Sequence, residues 1–204
     1  MNDKREHWEK IYSTRSLEEL SWTQARPSPS LEWILESVPD RSQRIIDVGG
    51  GRSSLVGMLL SEGYRLPAVM DISSKALERA KQDLGERKGE IEWIEADVTA
   101  FRSADKFALW HDRAVFHFLT SRSDREAYVS SVRSCVQPGG HLILATFSPQ
   151  GPAQCSGLDV MRFDEAALTA ELGPEFRLIK SKREVHKTPW GKNQDFLYCL
   201  FALT

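Results

Sequence analysis

The sequence predicts an α/β fold: a doubly wound sheet of seven strands, mostly parallel, closed by a carboxy-terminal antiparallel hairpin. Three observations carry this. Arg44-Ile45-Ile46-Asp47-Val48 is an apolar run that breaks into Gly49-Gly50-Gly51, after which Leu55–Leu60 resumes as a helix. Apolar runs and helical patterns then alternate as far as Ala145, which implies right-handed crossovers and a parallel sheet covered on both faces. The last third ends in two strand-like runs with no helix between them.

Taken in order, Trp8, Ile11 and Tyr12 fall at i, i+3 and i+4 and predict a short amphipathic helix. A polar connector follows, Ser13 to Gln24, carrying Leu17, Leu20 and Trp22. Ser28-Pro29-Ser30 reads as a helix start, with Leu31, Ile34, Leu35 and Val38 at helical spacing and Pro39 as the stop. Each of those side chains contributes about 1.5–3 kcal/mol if fully buried, so this helix docks. Strand two is read at Leu66–Asp71, followed by a helix capped by Ser73 that presents Ala76, Leu77, Ala80 and Leu84 on one face. Ile91–Glu95 and Phe107–Trp110 are strands three and four. Ser123 with Glu126 forms a capping box for a helix that buries Val129, Val132 and Val136 and ends at Pro138-Gly139-Gly140. Leu142–Ala145 is strand five. After an irregular stretch, 148–162, Asp164 starts a helix closed by Gly173-Pro174. Phe176–His186 is heavily charged and suits a sheet edge, whereas Phe196–Leu203 is apolar throughout and should insert between strand five and that edge.

A chain of 204 residues accommodates one well-buried core, so a single domain is expected, residues 28–204, preceded by a helix and lid over 1–27. A net charge of -2 gives no global electrostatic case for nucleic acid or an anionic membrane surface. Cys135, Cys155 and Cys199 are scattered, which favours a reducing compartment over a disulfide framework. With no signal-peptide core and no transmembrane run, a cytoplasmic location is expected.

The glycine turn is suited to a small ligand, because glycine tolerates positive φ and lets a ligand approach the backbone; packing alone is the other use of such a turn. Asp71, Asp97 and Asp112 stand at or beyond the carboxyl ends of predicted strands, outside which open α/β sheets bind their ligands. Asp71 lies 20 positions after Gly51, the separation at which an acid meets a ribose diol; capping the next helix is the lesser alternative. Asp97 with the N–H of Val98 could read an adenine edge, or serve as a turn residue.

Together, Asp47-Val48-Gly49-Gly50-Gly51, Asp71, Asp97, Asp112, Pro138-Gly139-Gly140 and the closing hairpin resemble the class I S-adenosylmethionine-dependent methyltransferases, over about residues 28–203. The resemblance implies a Rossmann-like sheet and S-adenosylmethionine as donor, with S-adenosylhomocysteine as product. It places Gly49, Gly50 and Gly51 beneath the methionine part of the donor, with Asp47 orienting the loop or meeting the amino acid portion. Asp71 and Ile72 would hold the ribose end, Asp97 and Val98 the adenine, and Asp112 the donor amine. Ser53 departs from the family's third glycine, and Ser54 leaves a G-x-G-x-x-G nicotinamide pattern incomplete.

The segment 110–119 should line the site of methyl transfer, with His117, His111 and Asp112 as candidate catalytic groups and Arg113 and Phe116 facing the acceptor. It lacks the Asn/Asp-Pro-Pro-Tyr/Phe and Pro-Cys patterns of base methylation. Trp8, Tyr12 and Trp22 could form an aromatic lid, Trp22 over the donor and Tyr12 toward the acceptor, or they could simply pack the amino-terminal helix, the reading favoured for Trp8. Phe147 and Trp190, before the 148–162 stretch and in the hairpin turn, complete the expected acceptor wall. No metal site is expected, since no histidine pair at helical spacing stands beside a carboxylate. The expected activity is methyl transfer to a small-molecule or metabolite acceptor. The alternatives are a protein lysine methyltransferase, for which Arg113 after the strand-four acid speaks, and a silent donor-binding module; oligomeric state is left open.

Overall fold

The computed structural model describes residues 2–204; Met1, where the expected amino-terminal segment begins, lies outside the described residues. The elements run α1 (Asn2–Thr14), α2 (Ser28–Ser37), β1 (Ile45–Val48), α3 (Leu55–Ser61), β2 (Ala68–Asp71), α4 (Ser74–Leu84), β3 (Glu92–Glu95) and β4 (Phe107–Arg113). They continue through α5 (Arg122–Cys135), β5 (Val136–Phe147), a small hairpin of β6 (Gln154–Cys155) and β7 (Leu158–Asp159), α6 (Glu165–Leu172), β8 (Phe176–Lys187) and β9 (Asn193–Leu203). One seven-stranded sheet forms in the order β3-β2-β1-β4-β5-β9-β8. The first five are parallel, and β9 pairs antiparallel with both β5 and β8, the insertion that its unbroken apolarity predicts.

Strand periodicity divides the core between the two faces. On β1, Ile46 and Val48 join Trp110, Tyr128 and Val132 on one side, whereas Ile45 packs with Leu31, Ile34, Leu55 and Leu59 on the other. The helices α5 and α6 cover the first face, and α2 and α3 the second. Helix α1 sits apart with its own cluster, in which Ile11, Tyr12 and Leu20 pack on Ala76 of α4.

Three expectations are corrected. The cap of α5 is Ser121, whose hydroxyl accepts from Asp124 N at 3.1 Å, and not Ser123; Ser121 and Asp124 repeat the same three-residue spacing two positions earlier. Strand β5 starts at Val136 and runs through Pro138-Gly139-Gly140 instead of beginning after it. The register with β4 shifts there, and a Cβ on Gly140 would stand 2.9 Å from Ala108 O, so the glycine serves a close approach of backbone within the sheet. Strand β4 extends three residues past Trp110, which puts His111, Asp112 and Arg113 on the strand itself. No helix among the described residues is long and apolar enough to cross a membrane.

Candidate active site

The sheet order reverses between β1 and β4, and a crevice opens there outside the carboxyl ends of the strands. The glycine turn forms its floor. Gly49 N and Gly50 N both donate to Met70 O, at 2.7 and 3.2 Å, which folds the turn over the end of β2. Gly49 has φ 63° and Gly51 φ 41°. A Cβ on Gly49 would collide with Val115, and one on Gly51 would stand 2.5 Å from Tyr12 Oη and 3.2 Å from Asp71 Oδ2. Both positions therefore require glycine for conformation and for space. Ser53, in place of a third glycine, accepts from Leu55 N, the first residue of α3, at 3.1 Å.

Two cavities adjoin the turn and share Trp22, Gly49 and Arg113. The larger encloses about 850 Å³ including its mouth. The ends of β2 and β3 supply Asp71, Ile72, Asp97 and Val98 to one wall; α1 contributes Lys4, Trp8 and Tyr12; Ala114, Val115, Phe118, Leu119 and Cys155 contribute along the remainder. The smaller cavity encloses about 540 Å³ and includes Asp47, Gly50, Ser54, Gln24 and His111.

The register of β1 with β4 sets Asp47 beside His111. Asp47 Oδ1 lies 2.6 Å from His111 Nδ1, and His111 Nε2 lies 2.8 Å from Ser30 Oγ in the first turn of α2. This Ser-His-Asp chain is not that of a hydrolase, because Ser30 is fully buried and lines neither cavity. Its effect is to fix the Asp47 carboxylate while Asp47 Oδ2 stays buried without a hydrogen-bond partner. Such an orphaned acceptor costs about 1–3 kcal/mol unless something fills it.

Asp71 Oδ1 accepts from Ser73 N at 2.9 Å, and burial pushes the carboxyl up to about 7 against that bond. Oδ2 faces the glycine turn across the position a Gly51 Cβ would take. Asp97 Oδ1 accepts from Thr99 N at 2.9 Å and Thr99 Oγ1 at 2.7 Å, an Asx-type turn. Asp97 thus serves the turn and lines the cavity at once.

Several expected site residues are placed elsewhere. Asp112 lines neither cavity: Val115 N, Phe116 N and Tyr128 Oη donate to its carboxylate, with the Tyr128 bond at 2.7 Å, so the acid holds the turn that follows β4. Burial raises it to about 6 against those hydrogen bonds. His117 is fully buried, its Nδ1 accepts from Phe147 N at 3.4 Å, and burial together with the Arg113 charge lowers it to about 3. Phe116 and Phe147 are core side chains with no exposed surface. Trp190 is 51% exposed and borders neither cavity. Asp112, Phe116, His117 and Phe147 share a cause: alternate residues of a strand, and the inner side of the turn after it, face the core. Tyr12 is placed toward the donor wall, against Gly51 and Asp71, where burial and the Asp71 charge raise its phenol well above the ordinary value.

Helix α1 is fastened across the crevice. Lys4 bonds Asp124 at 2.7 Å, Arg5 pairs with Glu95, Glu9 accepts from Ser74 N at 2.7 Å, and Arg79 reaches Ser13 O and Arg15 O. Trp8 meets Trp22 and Phe118 edge-on, with ring centroids at 5.7 and 5.1 Å. Lys4, Cys155 and Ser30 escape a reading by motif. Cys155 arrives on the small β6–β7 hairpin, and Ser30 carries no signal beyond that of a helix start.

Residues 45–140 match a family model described as a methyltransferase domain. That segment, running from β1 into β5, is similar to methyltransferase domains. Among solved structures similar to it, the N-methyltransferase NodS from Bradyrhizobium japonicum, in complex with S-adenosylhomocysteine, has TM-score 0.71 at 17% identity, covering 98% of this chain and 97% of its own. The 1,6-didemethyltoxoflavin-N1-methyltransferase of Burkholderia thailandensis has TM-score 0.69 at 17% identity, covering 100% and 85%. The glycopeptide N-methyltransferase MtfA has TM-score 0.71 at 14% identity, covering 96% of each chain. No curated protein matches the sequence significantly. At these identities the similarity to the methyltransferase structures is one of fold.

Proposed function

We propose that this chain transfers a methyl group from S-adenosylmethionine to a small-molecule or metabolite acceptor. The observation that carries the reading is the orphaned Asp47 Oδ2, a buried carboxylate oxygen beside the glycine turn. A donor with an α-ammonium group fills that vacancy with a charge-assisted hydrogen bond. The rest of the donor fits the same wall: Gly49, Gly50 and Gly51 beneath the methionine chain, Asp71 on the ribose hydroxyls, Ile72, Asp97 and Val98 around adenine, and Trp22 where the cavities meet. Residues 1–27 act as a lid on the domain 28–204, fastened by the bonds from Lys4, Arg5 and Glu9.

When bound, S-adenosylmethionine supplies a methyl group on a positively charged sulfur, which leaves as the neutral thioether of S-adenosylhomocysteine once an acceptor lone pair has taken the carbon. The chain contributes placement and the exclusion of water. Effective molarity from such placement is about 10⁵–10⁸ M, some 7–11 kcal/mol of the barrier. Among the described residues no histidine lines the larger cavity. His117 keeps its acceptor nitrogen on Phe147 N, and His111 is held between Asp47 and Ser30. No histidine is therefore offered to the acceptor in that cavity, which suits an acceptor that presents a lone pair of its own.

The small-molecule reading is supported by the enclosure of the crevice under α1, and by the low-molecular-weight compound held by the Burkholderia enzyme. A protein acceptor is the second reading, favoured by the exposed pair Trp190 and Val185 near the hairpin tip. A labelled-methyl assay on cell extract, split into protein and small-molecule fractions, decides between them. Label in the small-molecule fraction is expected; label confined to protein would reverse the choice, and label in neither would favour a silent donor-binding module.

A further inference from the structure

Arg113 ends β4 at the point where the two cavities meet. Its Nε donates to Tyr198 Oη at 2.9 Å and its Nη1 to Trp22 O at 3.0 Å, while the guanidinium carbon lies 4.4 Å from the centroid of the Phe196 ring. Nη2 is buried and has no hydrogen-bond partner. Among the described residues no ion pair to Arg113 forms. Glu184, the acid beyond Tyr198, receives Gln24 Nε2 at 3.5 Å and acts on Tyr198 and His186. The protein thus holds a cation in partial burial, fixes its plane by three contacts, and leaves both N–H groups of Nη2 unfilled. A guanidinium held this way is matched by an oxyanion, which two N–H groups or one can engage.

Arg113 borders the smaller cavity beside Asp47, and its charge also reaches the opposite side of the crevice. Arg113 acts on His117, Cys155, His186 and Tyr198, all toward the β5, β9 and β8 side. Tyr12, against the glycine turn, feels Arg52 instead, and the two acids of the larger cavity, Asp71 and Asp97, belong to the β2 and β3 side. Between those sides stand Trp8, Trp22 and Phe118, with the Trp22 and Phe118 rings each edge-on to Trp8, an apolar wall that a flat apolar group can pack against. Aromatic faces also attract cations, but a cationic acceptor would be placed beside an unneutralised guanidinium.

We propose that the acceptor is an anionic aromatic small molecule, its ring packed against the cavity wall of Trp8, Trp22 and Phe118 and its carboxylate or other oxyanion on Arg113 Nη2. This rests on the methyl-donor reading above, and the experiment separates the two. The full chain is first titrated calorimetrically with S-adenosylhomocysteine, then, at saturation, with naphthoate, naphthamide and naphthylmethylammonium. Naphthoate is expected to bind at least about tenfold more tightly than either of the others, the discrimination of one charge-assisted hydrogen bond. Arg113→Gln is expected to remove that preference and Arg113→Lys to keep part of it, with S-adenosylhomocysteine affinity unchanged in both. Equal binding of the three probes, or preference for the ammonium, overturns the anionic acceptor while leaving the donor reading intact. Loss of S-adenosylhomocysteine affinity in Arg113→Gln overturns it too, by assigning Arg113 to the donor's carboxylate. No binding of S-adenosylhomocysteine by the unmodified chain overturns both. The comparison of probes on the unmodified chain does not depend on the variants folding.

Discussion

Asp47 and Asp112 are buried carboxylates on neighbouring strands, one register step apart, and they project to opposite faces of the sheet. Asp112 faces α5 and is saturated, with two backbone N–H groups and the Tyr128 hydroxyl on its oxygens. Asp47 faces α2, where His111 holds one oxygen and nothing holds the other. Burial and residue type are the same; the difference is satisfaction. A saturated carboxylate contributes to the fold, whereas one fixed with a free oxygen beside a cavity is available to a ligand.

The sharpest way to break this contrast is Asp112→Ala. It leaves three buried donors without an acceptor and should cost on the order of 3–5 kcal/mol in chemical denaturation, with donor affinity of the folded protein changed less than about threefold. Asp47→Ala should do the reverse in emphasis: S-adenosylmethionine binding falls about tenfold to a hundredfold, the value of one or two charge-assisted hydrogen bonds. If Asp112→Ala lost donor affinity and Asp47→Ala did not, the two assignments would be exchanged.

Asp71 gives a smaller, pH-dependent effect. Its carboxyl is raised to about 7 by burial, so it is largely protonated below that pH, while ribose hydroxyls donate to the ionised form. Donor affinity should therefore rise between pH 5.5 and pH 7.5 and level off above, and binding below pH 7 should release protons, visible in calorimetry as buffer-dependent enthalpy. The same raised value means that Asp71 favours the folded state at low pH and that this contribution is lost as pH rises toward 7. Asp71→Asn should remove the slope in both measurements. The smallest expected effect is at Trp190: Trp190→Ala should change stability by less than about 0.5 kcal/mol and leave small-molecule methylation unaltered. A loss of label from a protein fraction in that variant would revive the protein acceptor.

The contrast also marks what could be read from the residues in order. Ile45–Val48, the glycine turn and the apolar final strand announce the fold because each satisfies a local rule, period or turn chemistry, that the tertiary structure preserves. Asp47, Asp71 and Asp97 were legible as site candidates for the same reason: they stand at strand ends. What escaped was orientation. Asp112, His117 and Phe116 belong to a segment that borders the site, yet their side chains turn into the core because Asp112 binds Val115 N and Phe116 N and coils the segment inward. Ser30 and Cys155 are brought in by contacts distant in sequence, which no spacing encodes. Arg113 was legible as a charged residue, but the absence of an acid beside it emerges only in three dimensions.

The most direct test of the account is calorimetric titration of S-adenosylmethionine into the unmodified chain and into Asp47→Ala, side by side at pH 7.5. The account predicts saturable binding to the first and at least about tenfold weaker binding to the second. Equal affinities, or no binding to the unmodified chain at millimolar donor, would contradict it.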